Sequence, residues 1–258
     1  MNPVEIYKRL PATNCGDCKQ KACMPFAFAL LKGEADISEC PWLTDKEKGD
    51  MASSVNKNDW QEALISSLKE EIKKVGFREA YGNLGAELRD GKLFIRCFGR
   101  DVIVGPDGEI QTQDNLTPWM RMLVLFYIRN GGGHGISGKW VIHSELMGGL
   151  MKYKAFQREC EEPLRELFDR HFEKAARVLD GYGSVHPAGF ATPNAWLLNV
   201  FPMLPVVFLY WPEDDEFESK VTIRFDSTAD KYFDVEQLIF LIKEIVEDIE
   251  EKTEQMPS

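Results

Sequence analysis

Six cysteines occur in the 258 residues, and four of them, Cys15, Cys18, Cys23 and Cys40, fall within the first forty positions. They read Cys-x2-Cys-x4-Cys-x16-Cys, and Pro41 follows the last. A cubane iron–sulfur cluster takes one cysteine thiolate per iron, and Cys-Pro is a familiar close to such a run. Zinc is the first rival, but zinc modules usually carry two Cys-x2-Cys knuckles and here there is one. An apolar stretch with Phe26 and Ala27 lies between the third and fourth cysteines, suited to cover a sulfur-rich face. Spacing and ligand softness favour iron–sulfur over zinc. Four unliganded structural thiols are the third reading.

The elements around these cysteines follow from punctuation and period. Val4, Ile6, Tyr7 and Leu10 predict one or two helical turns stopped by Pro11. Asn14 and Gly16 predict a tight, amide-rich turn, with amides able to reach sulfur. Met24–Leu31 predicts a helix ended by Gly33. Residues 1–43 thus form a cysteine module. Residues 44–58 are polar and weakly patterned, the best linker, although Thr44 could cap a short helix. Residues 59–258 form the second domain.

That domain opens on an amphipathic helix (Trp60, Leu64, Ile65, Leu68, Ile72, Val75) ending at Gly76. β-Character follows through Val104, cut by Asp90-Gly91 and Pro106-Asp107-Gly108 turns. Thr117-Pro118 opens a helix that Gly131-Gly132-Gly133 breaks. Trp140 and Ile142 mark a short strand or loop. A helix from Gln157 to Leu179, strands at Ala195–Val200, Val206–Tyr210 and Lys220–Phe225, and a helix capped by Asp234 complete the pattern. Helices and hairpins are segregated, which predicts an α+β fold.

Other residues carry weaker chemical signals. Gly131–Gly135 with Ser137-Gly138-Lys139 has P-loop residues in the wrong order and context, so a flexible loop is expected. Asp214, Asp215, Glu216, Asp226 and Asp230 could bind a hard cation, but a solvated turn is the plainer reading, with Trp211, Tyr210 and Phe217 as a conceivable ligand rim. Asp169-Arg170-His171 resembles the start of a corrinoid-binding motif, yet Lys174 stands where its glycine belongs and the segment reads as helix. His143 and His186 have no readable nucleophile beside them, so no catalytic residue is assigned. Cys97 and Cys160 read as buried small hydrophobes.

A net charge of −11 and a pI near 5.0 argue against a dedicated nucleic-acid binder. The acidic run from Glu244 to Glu254 is expected on a solvated helix face. No apolar run is long enough for a spanning helix and no signal peptide is evident, which predicts a cytoplasmic protein without a membrane span.

The run from Leu10 through Cys15, Cys18 and Cys23 to Gly33, then Cys40-Pro41, resembles the cluster module of the corrinoid iron–sulfur protein large subunit. More loosely it is similar to the module of membrane-associated electron-transport complexes of the Rnf type. The resemblance covers about residues 1–43 and implies one [4Fe-4S] cluster held by Cys15, Cys18, Cys23 and Cys40. The region from Trp119 to about Ile249, with Leu204-Pro205, Tyr210-Trp211, Asp214–Phe217 and Phe225–Ser227, resembles a family of anaerobe proteins of unknown function. Together these lead to an expectation of electron transfer to a redox protein partner, a corrinoid protein among the candidates. The alternatives are a cluster-dependent enzyme with a ligand pocket in the second domain, and a redox-sensing or structural scaffold.

Overall fold

The computed structural model describes residues 6–32, 35–54, 59–131 and 133–256. The expected helix stop at Gly33, and Asn2 to Val4 of the entering turns, lie outside the described residues. The chain forms two compact units, 1–67 and 68–258.

The first unit is helical. Helix α1 (Cys23–Lys32) follows the cysteine turn, and a 3-10 turn (Ile37–Glu39) precedes Cys40. The Asp36 side chain accepts from the Ser38 amide and Glu39 reaches back to the Asp36 amide, which sets that turn. Ile6, Leu10, Phe26, Ala27, Leu30, Ile37 and Leu43 are buried in one cluster. The stretch expected as a linker, 44–58, contains helix α2 (Asp45–Ser54). Thr44 and Glu47 cap it reciprocally: the Glu47 amide donates to Thr44 Oγ1 at 3.3 Å and the Thr44 amide to Glu47 Oε2 at 2.9 Å. Met51 joins the buried cluster. Helix α3 (Asp59–Ile72) carries the division between the two units.

The second unit is α+β, as expected. Helix α4 (Phe77–Ala80) leads into a four-stranded antiparallel meander, β1 (Glu87–Arg89), β2 (Lys92–Cys97), β3 (Arg100–Val104) and β4 (Ile110–Gln111). Arg89 pairs with Lys92, so Asp90-Gly91 is a two-residue turn, with φ of 49° and 75°. A further turn lies at Phe98-Gly99, φ 52° and 69°, between paired Cys97 and Arg100. Phe98 bears this left-handed backbone because its ring packs edge-on to Phe201 at 5.2 Å and its amide donates to the Val200 carbonyl at 2.9 Å.

Helix α5 (Pro118–Asn130) is capped by Thr117, with Gly131 left-handed at its end. Strand β5 (Trp140–Ile142) precedes helix α6 (Gly149–Phe156), a π turn (Gln157–Glu161) and helix α7 (Glu162–Gly181). Pro163 has no N–H for the carbonyl four residues back, and the helical ladder slips there. Strands β6 (Asn194–Phe201), β7 (Leu204–Trp211) and β8 (Lys220–Asp226) complete a second antiparallel sheet in the order β5-β8-β7-β6. Helix α8 (Val235–Gln255) is capped by Asp234. Phe168 of α7 stacks on Trp196 of β6 and Tyr210 of β7, with centroids at 5.2 and 4.9 Å. Thus one face of the second sheet packs on helices. No helix among the described residues is long and apolar enough to cross a membrane.

Not all of the acidic run of α8 faces solvent. Glu244 is buried and accepts from Thr117 Oγ1 at 2.5 Å. Asp248 accepts from Arg100 Nη2 at 2.7 Å, from Lys252 Nζ at 3.0 Å and from the Tyr182 hydroxyl. Positions 244 and 248 lie one turn apart on the inner face; Lys252 is local to the helix, whereas Thr117, Arg100 and Tyr182 come from distant segments.

Candidate metal centre

The cysteine turn is shaped by Asn14 and Gly16, with φ of 50° and 78°. Asn tolerates this region better than other non-glycine residues because its short polar side chain bonds locally. Here Asn14 Oδ1 accepts from the Cys23 amide at 2.9 Å, which ties the turn to the start of α1. A second tie joins the turn to the far end of the module. The Trp42 indole donates to Asp17 Oδ2 at 2.7 Å, and Lys19 pairs with Glu39 at 3.9 Å. Residues 17–19 and 39–42 are therefore held side by side, which brings Cys18 and Cys40 into one neighbourhood.

Cys23 and Cys40 are buried in the apolar cluster, Cys18 is half-buried against it, and Cys15 is exposed. All four thiols are free of disulfides. Burial raises the Cys18 thiol above its ordinary pKa, and the proximity of Cys40 and Cys15 adds to the shift. The Cys18 thiol donates to the Gln20 carbonyl at 3.1 Å. Among the described residues, no three His, Cys, Asp or Glu side chains converge as a ready metal cage. The donor set nevertheless suits an iron–sulfur cluster in kind: four soft sulfurs at the edge of an apolar cluster, with no oxygen or imidazole among them.

The other residues whose types suggest chemistry have structural roles. Asp226 is fully buried. It accepts from the Ser137 amide and hydroxyl at 3.1 and 2.9 Å, from the Gly138 amide at 2.7 Å, and from the Thr228 amide and hydroxyl at 3.0 and 2.7 Å. The amides that resembled a phosphate cradle are thus occupied by an internal carboxylate. The loop expected to be flexible is pinned at Ser137 and Gly138 for that reason; Gly132 lies outside the described residues. Burial works against ionisation of Asp226, but its hydrogen bonds outweigh burial and hold its pKa below the usual carboxylate value.

Asp214 Oδ1 accepts from the Glu216 and Phe217 amides at 2.9 and 2.8 Å, so the acidic stretch is an Asx-type turn. His171 lies within α7 and is exposed, and Asp169 accepts from Tyr210 and Ser219, so no corrinoid loop is formed there. His143 is buried, stacked on Phe156 at 4.4 Å, with Nε2 3.0 Å from the Val235 carbonyl; burial lowers its pKa. His186 Nδ1 lies 3.0 Å from the Ala195 carbonyl. Cys97 and Cys160 are fully buried, and burial pushes both thiols up, as inert packing residues require.

Sequence reasoning did not single out Arg224. On the outer face of the second sheet, Arg224, Trp140 and Trp211 line a cavity of about 540 Å³. Only Trp211 carried a signal, as an aromatic next to the acidic turn.

The four-cysteine donor set marks an iron–sulfur protein, and the comparison of its segment with known proteins supports that class. A family model for an Fe-S cluster matches residues 10–42. A second model, the domain of unknown function DUF3786, matches residues 76–248, and the chain belongs to that family. The corrinoid/iron-sulfur protein large subunit of Moorella thermoacetica is 45% identical over 42 residues, 16% of this chain and 9% of that protein. The acetyl-CoA decarbonylase/synthase complex subunit gamma 1 of Methanosarcina thermophila is 45% identical over 47 residues, 18% of this chain and 10% of the relative. The gamma subunit of the same complex from Methanocaldococcus jannaschii is 49% identical over 43 residues, 17% and 9% of the two chains. The chain thus spans about a tenth of the length of these curated relatives. No solved structure matches.

Proposed function

We propose that the N-terminal unit binds one [4Fe-4S] cluster through Cys15, Cys18, Cys23 and Cys40 and passes single electrons to a protein partner. The observation that carries this reading is the all-thiol donor set, lying within the segment shared with corrinoid/iron-sulfur and acetyl-CoA decarbonylase/synthase subunits. Such a cluster, when bound, supplies a one-electron couple whose potential depends on burial and hydrogen bonding around sulfur. The apolar cluster around Cys23 and Cys40 limits water on one side. Asn14 holds the turn that carries Cys15 and Cys18, and Asp17 with Trp42 holds that turn next to the Cys40 segment. With all four irons held by cysteine no open iron position remains, so the reading is electron carriage and not substrate chemistry at the metal.

The relatives' names point to a corrinoid protein as the class of partner. The net charge of −11 suits a basic docking surface and a salt-sensitive encounter. The expected compartment is the cytoplasm.

The test is anaerobic purification with iron and inorganic sulfide counting, visible absorption, and EPR after dithionite reduction. Iron and sulfide in equal amounts and a reducible cluster signal are expected. Stoichiometric zinc without sulfide would overturn the reading. Addition of a reduced corrinoid-protein partner and a spectroscopic assay of electron exchange test the second half.

A further inference from the structure

Residues alternate along β8. Val221, Ile223 and Phe225 are buried, while Lys220, Thr222 and Arg224 lie on the opposite face. The register sets Arg224 across from Val207 and Ile142, and Lys220 across from Trp211. On this outer face the cavity of about 540 Å³ is walled by Trp140, Phe190, Leu209, Trp211 and Arg224, with small residues of 188–191 at its rim. That volume is within the range of small-molecule sites.

The wall is aromatic and the charge is unmatched. Phe190 sits edge-on to Trp140 at 6.4 Å. Arg100, Arg129 and Arg165 each meet a carboxylate, at 2.7, 3.4 and 2.9 Å. Arg224 meets none among the described residues, and its Nε is buried without any hydrogen-bond partner. The carboxylate on this face, Asp226, is taken up by its own five donors. Lys220, with Nζ 6.0 Å from the Trp211 ring centroid, adds positive charge at the edge. A guanidinium in an aromatic-walled cavity favours an anion, and its planar fork matches carboxylate or phosphate. Indole walls favour a flat body beside that anion.

We propose that this cavity binds a small organic anion, a carboxylate or phosphate borne on a flat unsaturated body, with Arg224 as the anion-recognising residue and Trp140 and Trp211 as its walls. The inference stands apart from the cluster reading, since every residue in it belongs to the second unit.

Full-length protein is titrated with 2-naphthoate, 2-naphthyl phosphate, neutral 2-naphthylmethanol and inorganic phosphate. Calorimetry gives affinity, and ¹H–¹⁵N spectra follow indole signals assigned with Trp140→Phe and Trp211→Phe. Saturable binding of at least one naphthyl anion, moving both indoles, is expected; the two anions separate carboxylate from phosphate preference. The alcohol and inorganic phosphate should each bind at least about tenfold more weakly. Arg224→Gln should weaken the anion at least about tenfold and leave the alcohol unchanged. No binding by either anion, equal binding of the alcohol, or an unaffected Arg224→Gln variant overturns the proposal. If Arg224→Gln does not fold, Ala191→Trp at the exposed rim decides: it should abolish anion binding, and retained affinity overturns the site.

Discussion

The Cys23 amide donates to Asn14 Oδ1 at 2.9 Å, nine residues back along the chain. This bond joins the turn bearing Cys15 and Cys18 to the helix that begins at Cys23. Groups that orient ligands typically matter about 10–100-fold for metal affinity. Asn14→Ala should therefore cut iron retention by about tenfold, read as cluster loss under a chelator in anaerobic buffer. Asn14→Gly keeps the left-handed backbone but not the acceptor. Should it retain iron as the parent does, backbone conformation and not the hydrogen bond is what matters.

Asp226 gathers five donors from two segments. Asp226→Ala should lower unfolding free energy by about 1–3 kcal/mol, since the amides of Ser137, Gly138 and Thr228 lose a charged acceptor. The urea midpoint measures it. A change below about 0.5 kcal/mol would show that water replaces the carboxylate without cost.

Asp226 and Asp248 also set an acid limit. For Asp248, as for Asp226, burial opposes ionisation, but hydrogen bonds from Tyr182, Lys252 and Arg100 outweigh it, so both folded pKa values are depressed. A depressed carboxylate contributes stability that is fully present above its unfolded pKa of about 3.9 and is lost as pH falls through the folded value. Stability should drop below about pH 4. The double variant Asp226→Asn/Asp248→Asn should show a flatter profile there; an unchanged slope would place the acid sensitivity elsewhere.

Glu161 runs the other way. The π turn buries it, and its Oε1 accepts from the Ile223 amide at 3.0 Å. Burial raises its pKa despite that bond. Ionisation then costs more in the folded state, so this contribution weakens as pH rises through the interval between unfolded and folded values. Glu161→Gln keeps an acceptor without the charge and should equal or exceed the parent in stability at pH 8. Glu161→Ala orphans the amide and should cost about 1–3 kcal/mol. Thermal melts at pH 5 and pH 8 separate the two effects.

The Tyr127 hydroxyl donates to the Leu84 carbonyl at 2.8 Å and accepts from the Met203 amide at 3.1 Å, while its ring stacks on Phe201 at 4.4 Å. Tyr127→Phe preserves the stack and removes both bonds. A loss of about 1–3 kcal/mol in chemical denaturation is expected. Near-zero loss would mean that Leu84 and Met203 find each other or water.

Local signals read well from the chain. Asp234 before Val235, Thr117-Pro118, and Asp90-Gly91 each act within four residues of the structure they set. Phe98-Gly99 was invisible because a phenylalanine carries no local preference for positive φ; packing on Phe201 imposes it. Helix α6 went unread because its Met147, Leu150 and Met151 surround is exposed, so the apolar period does not mark a buried face. The acidic run of α8 misled because charge density says nothing about which turn meets Arg100 or Thr117.

The four-cysteine donor set, its tight turn and the alternation of apolar residues along each element were properties of the chain alone, because each depends on neighbours a few positions away. Which carboxylates are buried and answered, and which arginine is left unanswered beside two indoles, was decided only on folding. Ser137 meets Asp226 across 89 positions and Arg100 meets Asp248 across 148. Electrostatic partnership acts through space, and no pattern of neighbours along the chain encodes it.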